Sequence, residues 1–89
     1  MARYEMPNLE SAAFAEAVPN SEVFFELGMM YSTGRSVPTD LVAAHKWFNI
    51  AGMRGNADAV RLRREIAEEM SEEEIATALR AARDWLTRH

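Results

Sequence analysis

Residues 21–56 read SEVFFELGMMYSTGRSVPTDLVAAHKWFNIAGMRGN, and two runs of apolar side chains inside this stretch recur every three to four positions. In the first run Phe24, Leu27, Gly28 and Tyr31 share one face of a helix; in the second, Ala44, Trp47, Phe48 and Ala51 do the same. Ser21 is placed to cap the first helix, which the spacing carries to about Thr33, where Gly34 stops it. Residues 34–40, GRSVPTD, form a loop in which Pro38 leads to Thr39 and Asp40, either of which can cap a second helix reaching about Arg54. Helices joined by so short a loop pack antiparallel. Gly28 sits in mid-helix on the apolar face, where glycine costs about 1 kcal/mol relative to alanine. Its position predicts a neighbouring helix backbone too close to admit a Cβ.

Beyond this hairpin, Gly52 and Gly55 mark an exit, and Asn56 or Asp58 can start a third helix with Ala59, Leu62, Ile66 and Met70 inward. Arg61, Arg64, Glu65 and Glu68 fall on its outer face. Ser71 followed by Glu74 is a capping box, which breaks the chain sharply before a fourth helix running to the end. The apolar stripe of that helix is Ile75, Ala78, Leu79, Ala82, Trp85 and Leu86, and Asp84 and Arg88 are spaced for an i, i+4 ion pair. Glutamates at 72, 73 and 74 and Arg88 match the helix dipole. On the other side, residues 1–20 are punctuated by Pro7 and Pro19 and are read as an N-terminal extension, partly mobile or forming a short helix. Phe14 carries the most apolar area there and is the side chain expected to dock if that segment orders.

The sequence therefore predicts an all-α fold of two stacked antiparallel helical hairpins. Within residues 21–56, Leu27-Gly28, Tyr31, Gly34, Val37-Pro38, Asp40, Ala44, Trp47, Phe48, Ala51 and Gly55 follow the pattern of the Sel-one-like repeat family, a relative of the tetratricopeptide repeats. The stretch resembles one such repeat. It departs at Ser36, where the pattern has a second glycine, and at Gly52, where it has a second alanine. Residues 55–59, GNADA, restart the pattern, but Arg63-Arg64 stands where leucine-glycine would come, so residues 57–89 are read as a drifted, capping hairpin with a polar outer face. The resemblance implies a fragment of a tetratricopeptide-like superhelix, with residues 21–89 forming one repeat domain. It also implies a scaffold or adaptor that presents a groove to another protein or peptide, without naming the ligand.

Composition narrows the function independently. Eighty-nine residues make one domain with a small core, and the absence of cysteine removes both disulfides and thiolate metal sites as stabilisers. The N-terminal residues hold no apolar run of the length a signal peptide or a membrane span requires, so a cytoplasmic setting without membrane contact is expected. A net charge of −4, from 10 Lys and Arg against 14 Asp and Glu, opposes nucleic-acid binding.

No catalytic constellation stands out: there is no nucleophile–histidine–carboxylate set, no phosphate loop and no paired acid and base, and no metal or cofactor is expected. His45 and His89 are the two histidines, and His45 is read as a solvated helix side chain. The glutamates at 68, 69, 72, 73 and 74 do not follow an EF-hand spacing and are read as a solvated turn with capping duties. Arg61, Arg63 and Arg64 are expected to pair within their own helix. Phe25 and Met29, one turn apart, are rotated off the Phe24–Leu27–Tyr31 stripe and are surplus to a single core. They either pack against the N-terminal segment or the third helix or, with Val23 and Met30 on the other flank, are the candidate protein-binding residues, since methionine and aromatic side chains adapt well to partner surfaces. The alternative is a structural homo-oligomer, such as a homodimer burying Phe25 and Met29 against their symmetry mates.

Overall fold

The computed structural model describes residues 21–88; the expectations placed on residues 1–20, Phe14 among them, lie outside the described residues. Four helices follow in order: α1 (Glu22–Thr33), α2 (Leu41–Met53), α3 (Ala57–Ala67) and α4 (Glu72–Arg88). The architecture is all-α, as the periodicity requires, and each helix starts within a residue or two of its expected cap.

The caps themselves form as the side-chain chemistry dictates, with one exception. Asp40 takes the Ala43 N–H at 3.1 Å and Asn56 takes the Ala59 N–H at 2.9 Å, which settles both choices of capping residue. Ser71 and Glu74 close a reciprocal box, the Glu74 N–H donating to Ser71 Oγ at 3.0 Å and the Ser71 N–H to Glu74 Oε1 at 2.9 Å. Ser21 occupies the expected N-cap position of α1, but its side chain makes no capping bond. At the other end of α1, Gly34 adopts φ 76°, and the N–H groups of Gly34 and Arg35 both reach the Met30 carbonyl, closing the helix with a left-handed residue. Ser36 also has a positive φ, 72°, in the loop that follows.

α1 and α2 form the antiparallel hairpin. Arg54, at the end of α2, lies 5.2 Å over the ring of Phe24 near the start of α1, and the Asp40 N–H at the start of α2 donates to the Tyr31 carbonyl near the end of α1. Gly28 is buried against α2, and the atoms a Cβ there would strike are those of the Phe48 ring rather than a helix backbone. The expected close approach is thus real, but an aromatic side chain makes it.

α2 is the hub of the molecule. Phe48 abuts Gly28 of α1, Gly52 faces Val60 of α3, and Trp47 meets Trp85 of α4. Ala44, His45, Trp47, Phe48, Ile50 and Ala51 of this helix are all buried, so it has no wholly solvated face. α3 and α4 are joined by a short turn, yet each leans chiefly on α2 and not on the other.

Three aromatic side chains from three helices lock the core. Phe24 of α1 stacks on Trp47 of α2 at 6.0 Å between ring centroids, and Trp85 of α4 meets both edge-on, at 5.3 Å and 5.6 Å. Offset-stacked and edge-to-face contacts of this kind contribute about 0.5–1.5 kcal/mol each beyond the area they bury. α3 joins by smaller contacts: Ala59 is fully buried, Leu62 and Ile66 pack on the core, and Arg63 reaches across to Asn49 Oδ1 on α2 at 2.6 Å.

Candidate functional site

Two large apolar side chains remain exposed among the described residues, Met53 at 65% and Leu79 at 42%, and they lie together. They line an open groove of about 450 Å³ between α2 and α4, whose other walls are Asn49, Ala82, Arg83, Leu86 and Thr87. The groove arises from how α4 sits. Its apolar stripe is wider than the core can accept: Ala78, Ala82 and Trp85 turn inward, which leaves Leu79 and Leu86 on the flank. On α2, Asn49 and Met53 are one turn apart and face the same space.

The polar groups of the groove are unequally occupied. Thr87 Oγ1 donates to the Arg83 carbonyl at 2.6 Å, and Asn49 Oδ1 accepts from Arg63. The Arg83 guanidinium makes no hydrogen bond or ion pair among the described residues. No carboxylate lines the groove.

The residues singled out on α1 behave differently from these. Val23, Phe25, Met29 and Met30 are half-buried and pack against the core, Phe25 meeting Phe48 at 5.9 Å between ring centroids. They are neither fully enclosed nor open, they lie on two flanks of the α1 stripe, and none of them lines the groove. Of the groove residues, periodicity places Leu79, Ala82 and Leu86 on the α4 core stripe and singles out neither Asn49 nor Met53, because a helical stripe does not disclose which of its edges the neighbouring helix will cover. The signal that was present is the width of that stripe.

His45 corrects the sequence reading. It is buried, at 3% exposure, on the flank of α2 that α3 covers, and its Nδ1 finds no hydrogen-bond partner among the described residues. Burial holds its pKa below the ordinary 6.5, and the charge of Arg63 lowers it further. It is the one polar or charged residue that is buried among the described residues.

The remaining charged candidates resolve into ordinary surface chemistry. Arg61 pairs within α3 with Asp58 at 3.5 Å and Glu65 at 3.1 Å, as expected, whereas Arg63 leaves its own helix for Asn49. Asp84 and Arg88 do not pair with each other; they border a smaller depression with Lys46, Ala81 and Trp85. Around the glutamate-rich turn, and elsewhere among the described residues, no three His, Asp or Glu side chains converge as a metal site would require. No helix of the described residues is long and apolar enough to cross a membrane.

No family model, no curated protein and no solved structure matches this chain.

Proposed function

We propose that the protein is a small non-catalytic interaction module, an adaptor or scaffold of the Sel-one-like repeat type, that holds another protein in the groove between α2 and α4. The observation that carries the reading is the exposure of Met53 and Leu79, the two exposed large apolar side chains among the described residues, in the walls of one groove. Leaving two large apolar side chains partly in water forgoes a share, of order half, of the about 1.5–3 kcal/mol that full burial of each would give. Methionine and arginine are also residue types that interfaces favour. The repeat-like residues of the α1–α2 hairpin support the family part of the reading, and the acidic, cysteine-free composition suits a cytoplasmic module that avoids nucleic acid.

The test is capture from a lysate of the source cell with three baits: wild type, a Met53→Asp, Leu79→Asp variant and a Phe25→Asp, Met29→Asp variant. Both substituted baits are first checked for helical circular dichroism and a cooperative melt. A protein retained by wild type and by the α1 variant, and lost from the groove variant, supports the reading. Loss confined to the α1 variant moves the docking surface to Phe25, Met29, Val23 and Met30. Identical retention by all three baits, together with a dimer in light scattering, replaces the adaptor with a self-associating structural protein.

A further inference from the structure

Resting on the reading of the groove as a docking surface, we infer that its occupant is a short apolar segment of another protein bearing an aspartate or glutamate, whose carboxylate is taken by Arg83. The charge distribution points to this chemistry. In a chain of net charge −4, the groove lining contains one cation and no anion. The other polar groups characterised at its rim, the Thr87 hydroxyl and the Asn49 carbonyl, already have partners inside the protein, while the Arg83 guanidinium has none among the described residues. A guanidinium presents donors in a fixed fork that matches a carboxylate bidentately, and beside an apolar wall that pair is less screened than in open water.

The dimensions favour a segment over a domain face. The α4 wall runs from Leu79 to Thr87, a rise of about 12 Å at 1.5 Å per residue, or little more than two helical turns. That accommodates a few apolar side chains against Met53, Leu79 and Leu86, whereas a standard interface between folded domains takes about 800 Å² from each partner. The carboxylate then sits one turn from Leu79 and from Leu86, since Arg83 lies between them at i+4 and i−3. Apolar contact supplies most of the affinity in such an arrangement, and the ion pair fixes register and rejects basic sequences.

The experiment is selection of a phage-displayed random peptide library on the full chain, followed by titration of the enriched peptides, as synthetic probes, against wild type, Met53→Asp and Arg83→Glu. Arg83 is exposed, so its substitution leaves the core untouched. Enriched peptides should combine apolar residues with an acid and bind wild type. They should lose about tenfold or more on Arg83→Glu, and recover on that variant when their acid is exchanged for lysine. Peptides that require Met53 yet carry no acid, or ignore Arg83→Glu, overturn the carboxylate inference and leave the groove standing. Failure to enrich any peptide that depends on Met53 overturns the groove reading itself. A dimer that Leu79→Asp dissolves assigns the groove to a second copy, and a photo-crosslink from position 79 into residues 1–20 of the same chain assigns it to that segment; either result overturns the inference.

Discussion

The ring of Phe48 occupies the space in which a side chain on Gly28 would begin. Alanine is ordinarily the better helix former by about 1 kcal/mol, so an exposed glycine-to-alanine change in a helix stabilises. Here the overlap reverses the sign. Gly28→Ala should destabilise by about 1–3 kcal/mol, the range for overpacking a filled core, read as a lower urea midpoint with unchanged slope. Adding Phe48→Leu should return part of the loss, and strictly additive effects in that double-mutant cycle would disprove the contact.

Trp85 joins α4 to two helices at once through Phe24 and Trp47. Trp85→Ala should therefore cost about 3–5 kcal/mol, which consumes most of the stability of a domain this size. Near-ultraviolet circular dichroism should collapse with it, because the aromatic triangle is where the rings are held rigidly. A variant retaining a sharp melt within a few degrees of wild type would mean that α4 is anchored elsewhere.

Ser36 holds φ 72° without being glycine. The left-handed region costs an ordinary L-residue roughly 1–2 kcal/mol, partly regained in the unfolded chain, where glycine has more freedom to lose. Ser36→Gly should thus raise the melting temperature modestly, by a stability gain of about 0.5–1 kcal/mol. Ser36→Val should lower it, and a rise with valine would contradict the backbone geometry.

The buried His45 imidazole makes folding sensitive to acid. Its pKa is lowered in the folded state, first by burial and then by Arg63, so the unfolded chain, titrating near the ordinary 6.5, binds the proton more readily. The stability is fully present above pH 6.5 and declines as pH falls below it, through the lower folded-state value. Urea midpoints measured between pH 7.5 and 5 should show this decline, and His45→Gln should flatten it. A slope that survives the substitution would place the acid sensitivity elsewhere.

The local signals in the sequence carried far. Asp40, Asn56, and the Ser71–Glu74 pair each act through bonds spanning three residues, and such bonds can be read from spacing alone. The inward face of the first hairpin was legible for the same reason: Phe24 and Leu27 lie one turn apart, and Trp47 and Phe48 both lie one turn from Ala44. What could not be read depends on helices arriving from elsewhere. α2 shows one apolar face to its own hairpin partner, and its remaining burial, His45 included, comes with α3 and α4. The groove was hidden by the converse effect. Leu79 and Leu86 belong to an apolar stripe, but α4 buries its Ala78–Ala82–Trp85 edge, and periodicity does not say which edge becomes covered.

A linear array in which each unit touches only the next can lose its end units one at a time, because the energy of each junction is local. A wheel cannot shed spokes in that way. With α1, α3 and α4 all resting on one axle, withdrawal of any of them bares side chains on α2 that the others cannot cover. Partial opening should therefore be scarce in this protein, and the slowest-exchanging amides of α2 should report the same free energy as complete denaturation.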